Sequence, residues 1–255
     1  MTPPSAAASR RPAFEAGLRA SLRRHLARLR GVAEGALPPA LLDVKVQRIG
    51  DVSVVRPADW EQLRHEEGGA GRPVPYWALP WPSGKVLAAR LAAAPPPAGA
   101  RVLELGCGLG LPSIVAARAG ARVLATDGAS DAVVFAAHSL ALNEVEGEVA
   151  SVEWDEDGDE LAARGPWDLV LAADVLYLQA NVQAALRLLP RLVAPGGEIW
   201  LADPRRAGAR DFLAAARATF ELRTTEHGDV ALHRLATASR TPSGGNRTAV
   251  RMVAP

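Results

Sequence analysis

A single cysteine, Cys107, excludes an intrachain disulfide and any zinc site built from several thiolates. It also points to a reducing compartment, and the expected location is the cytoplasm. Lysine is nearly absent: Lys45 and Lys85 are the only two, and arginine carries the rest of the positive charge. With 29 basic and 28 acidic side chains the net charge is +1, which gives no concentrated basic surface for a nucleic acid. No run approaches the roughly 20 apolar residues needed to span a bilayer. Neither a nucleic acid nor a membrane is therefore expected as a partner.

Acids are scarce at the start of the chain, where Glu15 is the only one in residues 1–30. Phe14, Leu18, Leu22, Leu26 and Leu29 recur there at helical spacing, with Arg19, Arg23, Arg24 and Arg30 elsewhere on the surface. The expectation is an unstructured stretch over 1–12 and an amphipathic helix over about 13–34. The same composition suits an organellar transit peptide, which would place the protein in the mitochondrial matrix.

What the sequence does contain is apolar surface. A hydrophobic fraction of 49% in 255 residues suffices for one large core with an extension. Residues 41–46 and 52–55 flank Gly50-Asp51 as a small hairpin, and 66–72 read as an exposed loop. An aromatic segment, Pro75-Tyr76-Trp77-Ala78-Leu79-Pro80-Trp81-Pro82-Ser83-Gly84, precedes a helix over 85–93. From residue 101 strands and helices alternate. Strands are expected at 101–105, 122–126, 148–153, 168–173 and 198–202, and helices at 111–119, 130–142, 181–192 and 207–219. A final strand pair, 220–225 and 230–235, has no helix between its members and must be antiparallel. Runs such as Leu169-Val170-Leu171-Ala172 suit strands covered on both faces. The fold class expected is α/β, a doubly wound, mostly parallel, seven-stranded Rossmann-like sheet. The organisation expected is an extension over 1–74, able to serve as a lid over a small substrate or as a docking surface for a protein, a main domain over 75–237, and a tail or edge strand over 238–255.

The stretch Leu103-Glu104-Leu105-Gly106-Cys107-Gly108-Leu109-Gly110 runs from a strand through alternate glycines into a helix. Glycines permit left-handed backbone and close approach of a ligand, at the strand end where α/β sheets bind theirs. A dinucleotide fingerprint would place its third glycine at 111, which is leucine. Glu104, two residues ahead of Gly106, would repel a diphosphate and attract a cationic sulfonium nucleoside such as S-adenosylmethionine. Asp127, at the end of the second strand of the alternating region, suits a ribose diol in either kind of enzyme; it could equally cap the following helix. Cys107 reads as a small spacer in the loop.

These pieces resemble the class I, seven-β-strand S-adenosylmethionine-dependent methyltransferases. Within them the chain is most similar to the protein lysine methyltransferase branch that includes the electron-transfer-flavoprotein β-subunit enzyme and its bacterial relatives. The aromatic segment 75–84, the glycine motif 104–110 and Ala173-Asp174-Val175-Leu176-Tyr177 carry the likeness, over about 76–235. The resemblance implies a Rossmann-like methyltransferase fold with S-adenosylmethionine as cofactor. It implies that Trp81 lines the cofactor pocket, that Glu104, Gly106, Gly108 and Gly110 form its glycine motif, and that Asp127 holds the ribose. Trp154 and Asp155 would flank the adenine, with core packing as the alternative for Trp154. Asp174 and Tyr177 would be the catalytic pair, Asp174 lying against the cofactor as well, orienting the attacking nitrogen, with Tyr177 walling the acceptor channel. The expected substrate is a protein lysine side chain, the alternatives being a small-molecule acceptor and a non-catalytic protein of the same fold.

Overall fold

The structure, a computed structural model, describes residues 6–68 and 73–237, with side chains from Ala16 onward. The expected tail or edge strand at 238–255, residues 69–72 of the expected loop, and the Phe14 side chain lie outside the described residues.

The extension comprises α1 (Ala6–Arg30), α2 (Pro39–Leu42), the hairpin β1 (Val44–Ile49) and β2 (Val52–Pro57), and α3 (Trp60–Glu67). Helix α1 begins well before the expected residue 13. Leu41 and Leu42 belong to α2, not to the hairpin, because Pro39 opens a helical turn at its first position. Helix α3 was not expected; Asp59 caps it by accepting from the Gln62 amide at 3.1 Å.

After α4 (Pro82–Ala93) come β3 (Arg101–Leu105), α5 (Leu111–Arg118), β4 (Arg122–Asp127), α6 (Ser130–Leu142) and β5 (Glu148–Ser151). Then follow α7 (Gly158–Arg164), β6 (Trp167–Ala173), α8 (Gln179–Leu192), β7 (Val193–Asp203), α9 (Ala207–Ala216), β8 (Phe220–His227) and β9 (Val230–Thr237). The seven main strands lie in the order β5-β4-β3-β6-β7-β9-β8. Strands β5, β4, β3, β6 and β7 are parallel, and β9 is antiparallel to both β7 and β8, as the missing crossover helix requires. The chain winds outward from β3 to β5 and then returns to β6 on the other side of β3. Leu105 of β3 pairs with Ala172 of β6, so the loops after these strands share the point where the winding reverses.

The extension is packed, not hinged. Leu22, Leu26, Leu41, Val54 and Leu63 share one core with Ile114, Phe135 and Leu140 of α5 and α6. Leu29 remains 45% exposed, so the apolar stripe of α1 stops one turn before its end. The hairpin edge is clipped to α6: the Val55 amide donates to Ser139 Oγ at 3.0 Å, and the Ser53 amide to Asn143 Oδ1 at 3.1 Å. Arg30 of α1 ties Glu67 of α3 to Asp131 of α6. Among the described residues no helix is long and apolar enough to cross a membrane.

Candidate active site

The chain leaves β3 through Gly106-Cys107-Gly108-Leu109-Gly110. All three glycines are left-handed, with φ of +66°, +51° and +76°. Each also admits a neighbour: a Cβ would lie 2.7 Å from Val175 Cγ1 at Gly106, 3.0 Å from the Trp77 carbonyl oxygen at Gly108, and 3.3 Å from Ala136 Cβ at Gly110. The loop thus needs glycine for its own path and for the packing around it.

Glu104 does not face this loop's open side as expected. It is 1% exposed, and its Oε2 accepts from the Ser113 amide at 2.9 Å and the Ser113 hydroxyl at 2.5 Å. The carboxyl thereby serves an amide in the first turn of α5, one of the donors a helix start leaves unpaired. Burial pushes it up to about 8, against the opposing pull of the Ser113 donors. Burial thus favours the protonated form, which weakens the charge argument against a diphosphate.

Asp127 closes β4 and reaches across to the glycine loop. Its Oδ2 accepts from the Gly108 amide at 2.8 Å and its Oδ1 from the Ala129 amide at 2.9 Å. Burial raises its pKa from the ordinary aspartate value, the two amides pulling the other way. Each oxygen retains a lone pair, so the carboxylate fits a cis-diol while still holding the loop. The carboxylate beside it is Glu153: a Cβ at Gly128 would lie 2.9 Å from Glu153 Oε1. Asp155, expected here, is instead exposed and paired with Arg187 of α8 at 2.5 Å. Trp154 is half-buried and packs against the main core. β5 ends at Ser151, earlier than expected, so that the two residues after Glu153 turn toward α7 and α8. A cavity of about 300 Å³ begins at Gly128 and Ala129 and is also lined by Leu63 and Val74 of the extension and by Trp77 of the aromatic segment.

At the end of β6, Asp174 takes a left-handed backbone, φ +57°, uncommon for a residue with a side chain. Its carboxylate, 10% exposed, accepts from Arg206 Nε at 2.5 Å and from Arg206 Nη2 at 3.0 Å. Arg206 stands just past β7, where Asp203, fully buried, accepts from its backbone amide at 2.6 Å. Tyr177, in the loop after β6, is within electrostatic reach of Asp127, Asp174 and Arg206. Burial, Asp127, Asp174 and Tyr76 all raise its pKa, so it remains a phenol with a proton to donate. Its ring meets Tyr76 edge-on at 5.8 Å, and Tyr76 meets Trp81 at 6.1 Å. Tyr76 and Tyr177 are each nearly half exposed, forming an aromatic rim with Trp81, whose Nε1 donates to the Tyr76 carbonyl at 2.6 Å. Trp77 is the packing member of the segment, 5.0 Å from Phe135.

The structure therefore brings together Gly106, Gly108, Gly110, Asp127, Asp174, Tyr177 and Trp81 at the strand ends; Glu104 is buried on Ser113 within electrostatic reach of Asp127, Trp154 packs on the core, and Asp155 pairs with Arg187. Sequence reasoning missed Glu153, Asp203 and Arg206. The last two were within reach: Asp203-Pro204-Arg205-Arg206 follows the final parallel strand, and ligands gather at such ends.

A glycine loop held by an acid at the end of the neighbouring strand, on a seven-stranded sheet whose last strand pair is antiparallel, matches the class I methyltransferase fold. The chain belongs to the lysine methyltransferase family, whose model matches residues 81–218. It is 33% identical over 141 residues to the electron transfer flavoprotein beta subunit lysine methyltransferase of Danio rerio, covering 54% of each chain. It is 38% identical over 136 residues to a ubiquinone biosynthesis O-methyltransferase of Xanthomonas axonopodis pv. citri, covering 52% of this chain and 54% of that one. The chain thus spans about half the length of the curated relatives it matches. Among solved structures, the T. thermophilus 16S rRNA N2 G1207 methyltransferase in complex with S-adenosylmethionine and guanosine aligns with a TM-score of 0.56 at 18% identity, over 76% of this chain and 50% of that one. That likeness is one of fold.

Proposed function

We propose that the protein is an S-adenosylmethionine-dependent methyltransferase that N-methylates a protein lysine side chain. The observation that carries the reading is the joining, at one set of strand ends, of the left-handed glycine loop and Asp127 with Asp174 and the Tyr76–Trp81–Tyr177 rim. The cofactor supplies a methyl group already activated on a sulfonium. The remaining work falls to the chain's own residues. Asp127 uses its spare lone pairs for the ribose hydroxyls, and Gly106, Gly108 and Gly110 form the loop against the methionine portion. Trp81 would line the cofactor pocket.

A lysine amine, with an ordinary pKa of about 10.4, must lose its proton before it can attack. Desolvation at the rim and a neighbouring cation both favour the neutral form. Asp174 orients the amine by accepting from its N–H, and the Tyr177 phenol walls the channel. Aromatic faces suit a cationic or partly cationic nitrogen on its way in. Family membership supports the lysine acceptor.

Labelling an extract with tritiated-methyl cofactor tests the reading. Label in protein, recovered as methyl-lysine after hydrolysis, is the expected result; label confined to small molecules overturns it. That second outcome would favour an O-methyltransferase of a small acceptor, a reading motivated by the likeness to the ubiquinone-biosynthesis enzymes. No binding of the cofactor at high micromolar concentration would leave only the fold.

A further inference from the structure

Arg206 has no part in the roles just assigned, yet it is the residue most tightly engaged with Asp174. Both carboxylate oxygens accept from it in a two-point pair, an arrangement that fixes a carboxylate well. Its backbone is held in turn: the amide donates to the buried Asp203, and the preceding Arg205 is left-handed with φ +62°. Arg205 turns away, its guanidinium donating to Glu226 at 2.5 Å and to the Gly228 carbonyl at 2.8 Å. Among the described residues, Arg206 is the cation paired with Asp174. The other charged or titratable groups around the pair are Asp203 from β7, Tyr177 from the loop after β6, Tyr76 from the aromatic segment, and Asp127 beyond Tyr177.

A bare carboxylate at this mouth would bind an alkylammonium and stabilise its proton, since an opposite charge favours the ionised form. An ammonium has no lone pair and cannot attack a methyl group. A guanidinium stays charged at every working pH and, locked on Asp174, offsets that charge. The carboxylate still has lone pairs for an incoming N–H. We propose that Arg206 is a positioning residue which fixes Asp174 and offsets its charge, so that the site receives the acceptor amine neutral and does not trap it as an ammonium. This rests on the reading of Asp174 as the group that orients the acceptor nitrogen.

The test uses the full chain and n-butylammonium, the head of a lysine side chain, titrated at pH 7 and followed by ligand-observed NMR. Wild type and Arg206→Lys are expected to bind it weakly. Arg206→Gln and Arg206→Met are expected to bind it about ten-fold more tightly, and the added substitution Asp174→Asn to abolish the gain. A gain in affinity restored to the wild-type level by lysine is not something a merely structural role produces. Equal or weaker binding by both neutral variants, or a gain that survives Asp174→Asn, overturns the inference. The titration reports the charge at Asp174 alone, whereas label confined to small molecules would overturn the lysine reading by itself.

Discussion

Replacing Glu104 with glutamine preserves shape and an acceptor for both Ser113 donors while removing the ability to ionise. Burial holds the folded carboxyl near 8 against an ordinary value of 4.5. Below 4.5 both the folded and the unfolded chain keep the proton, and the group is silent. Between 4.5 and about 8 the unfolded chain releases it and the folded chain does not. Folding stability then falls by about 1.4 kcal/mol for each pH unit gained. Above about 8 both states are ionised and the loss is complete, at most about 5 kcal/mol over the whole span. Glutamine has no such slope. In urea denaturation at pH 6, 7, 8 and 9, Glu104→Gln should therefore gain on wild type by about 2–3 kcal/mol between pH 6 and 8, then level off. Groups titrating elsewhere are common to both proteins and cancel in the difference. A difference that stays flat from pH 6 to 9 would refute the burial argument and return Glu104 to the charged groups of the site.

Gly106→Ala forces a side chain into left-handed backbone and within 2.7 Å of Val175 Cγ1, and should cost about 2–4 kcal/mol in thermal or urea unfolding. A cost under about 0.5 kcal/mol would mean that the loop has another path. Asn143→Ala removes the side chain that accepts from the Ser53 amide and donates to the Ser53 carbonyl at 2.6 Å, unclipping the hairpin. Urea titration should show a loss of about 1–3 kcal/mol, and an unchanged midpoint would deny the extension its structural role. Asp174→Asn leaves one acceptor oxygen where Arg206 now has two, and should lower turnover at least about a hundred-fold with cofactor affinity nearly unchanged. A large fall in that affinity, measured by isothermal titration, would show the residue's role to be misassigned.

Much of the fold was readable because its signals are local. Alternation of apolar runs with helical spacing gave the order of strands and helices, and Gly50-Asp51 marked the hairpin turn. The three glycines at 106, 108 and 110 announced a left-handed loop before any coordinates, since a missing Cβ is what that backbone requires. Helices α3 and α7 were missed: one is capped by a lone aspartate in a polar stretch, and the other is only seven residues long.

The sequence by itself thus determined the doubly wound sheet, the glycine loop, and the placing of Asp127 and Asp174 at strand ends, because backbone preference and burial period act over a few residues. Tertiary structure alone decided which way those side chains turn and what they meet. Glu104 could be read as a charge facing a ligand until the start of α5 was set over it, 9 residues along the chain. Glu153 stands beside Asp127, where Asp155 was expected, because β5 ends at Ser151. Arg206 reaches Asp174 across 32 residues only because β7 lies next to β6 in the sheet. Pairing across strands depends on which neighbours the sheet order supplies, and no local pattern encodes that order.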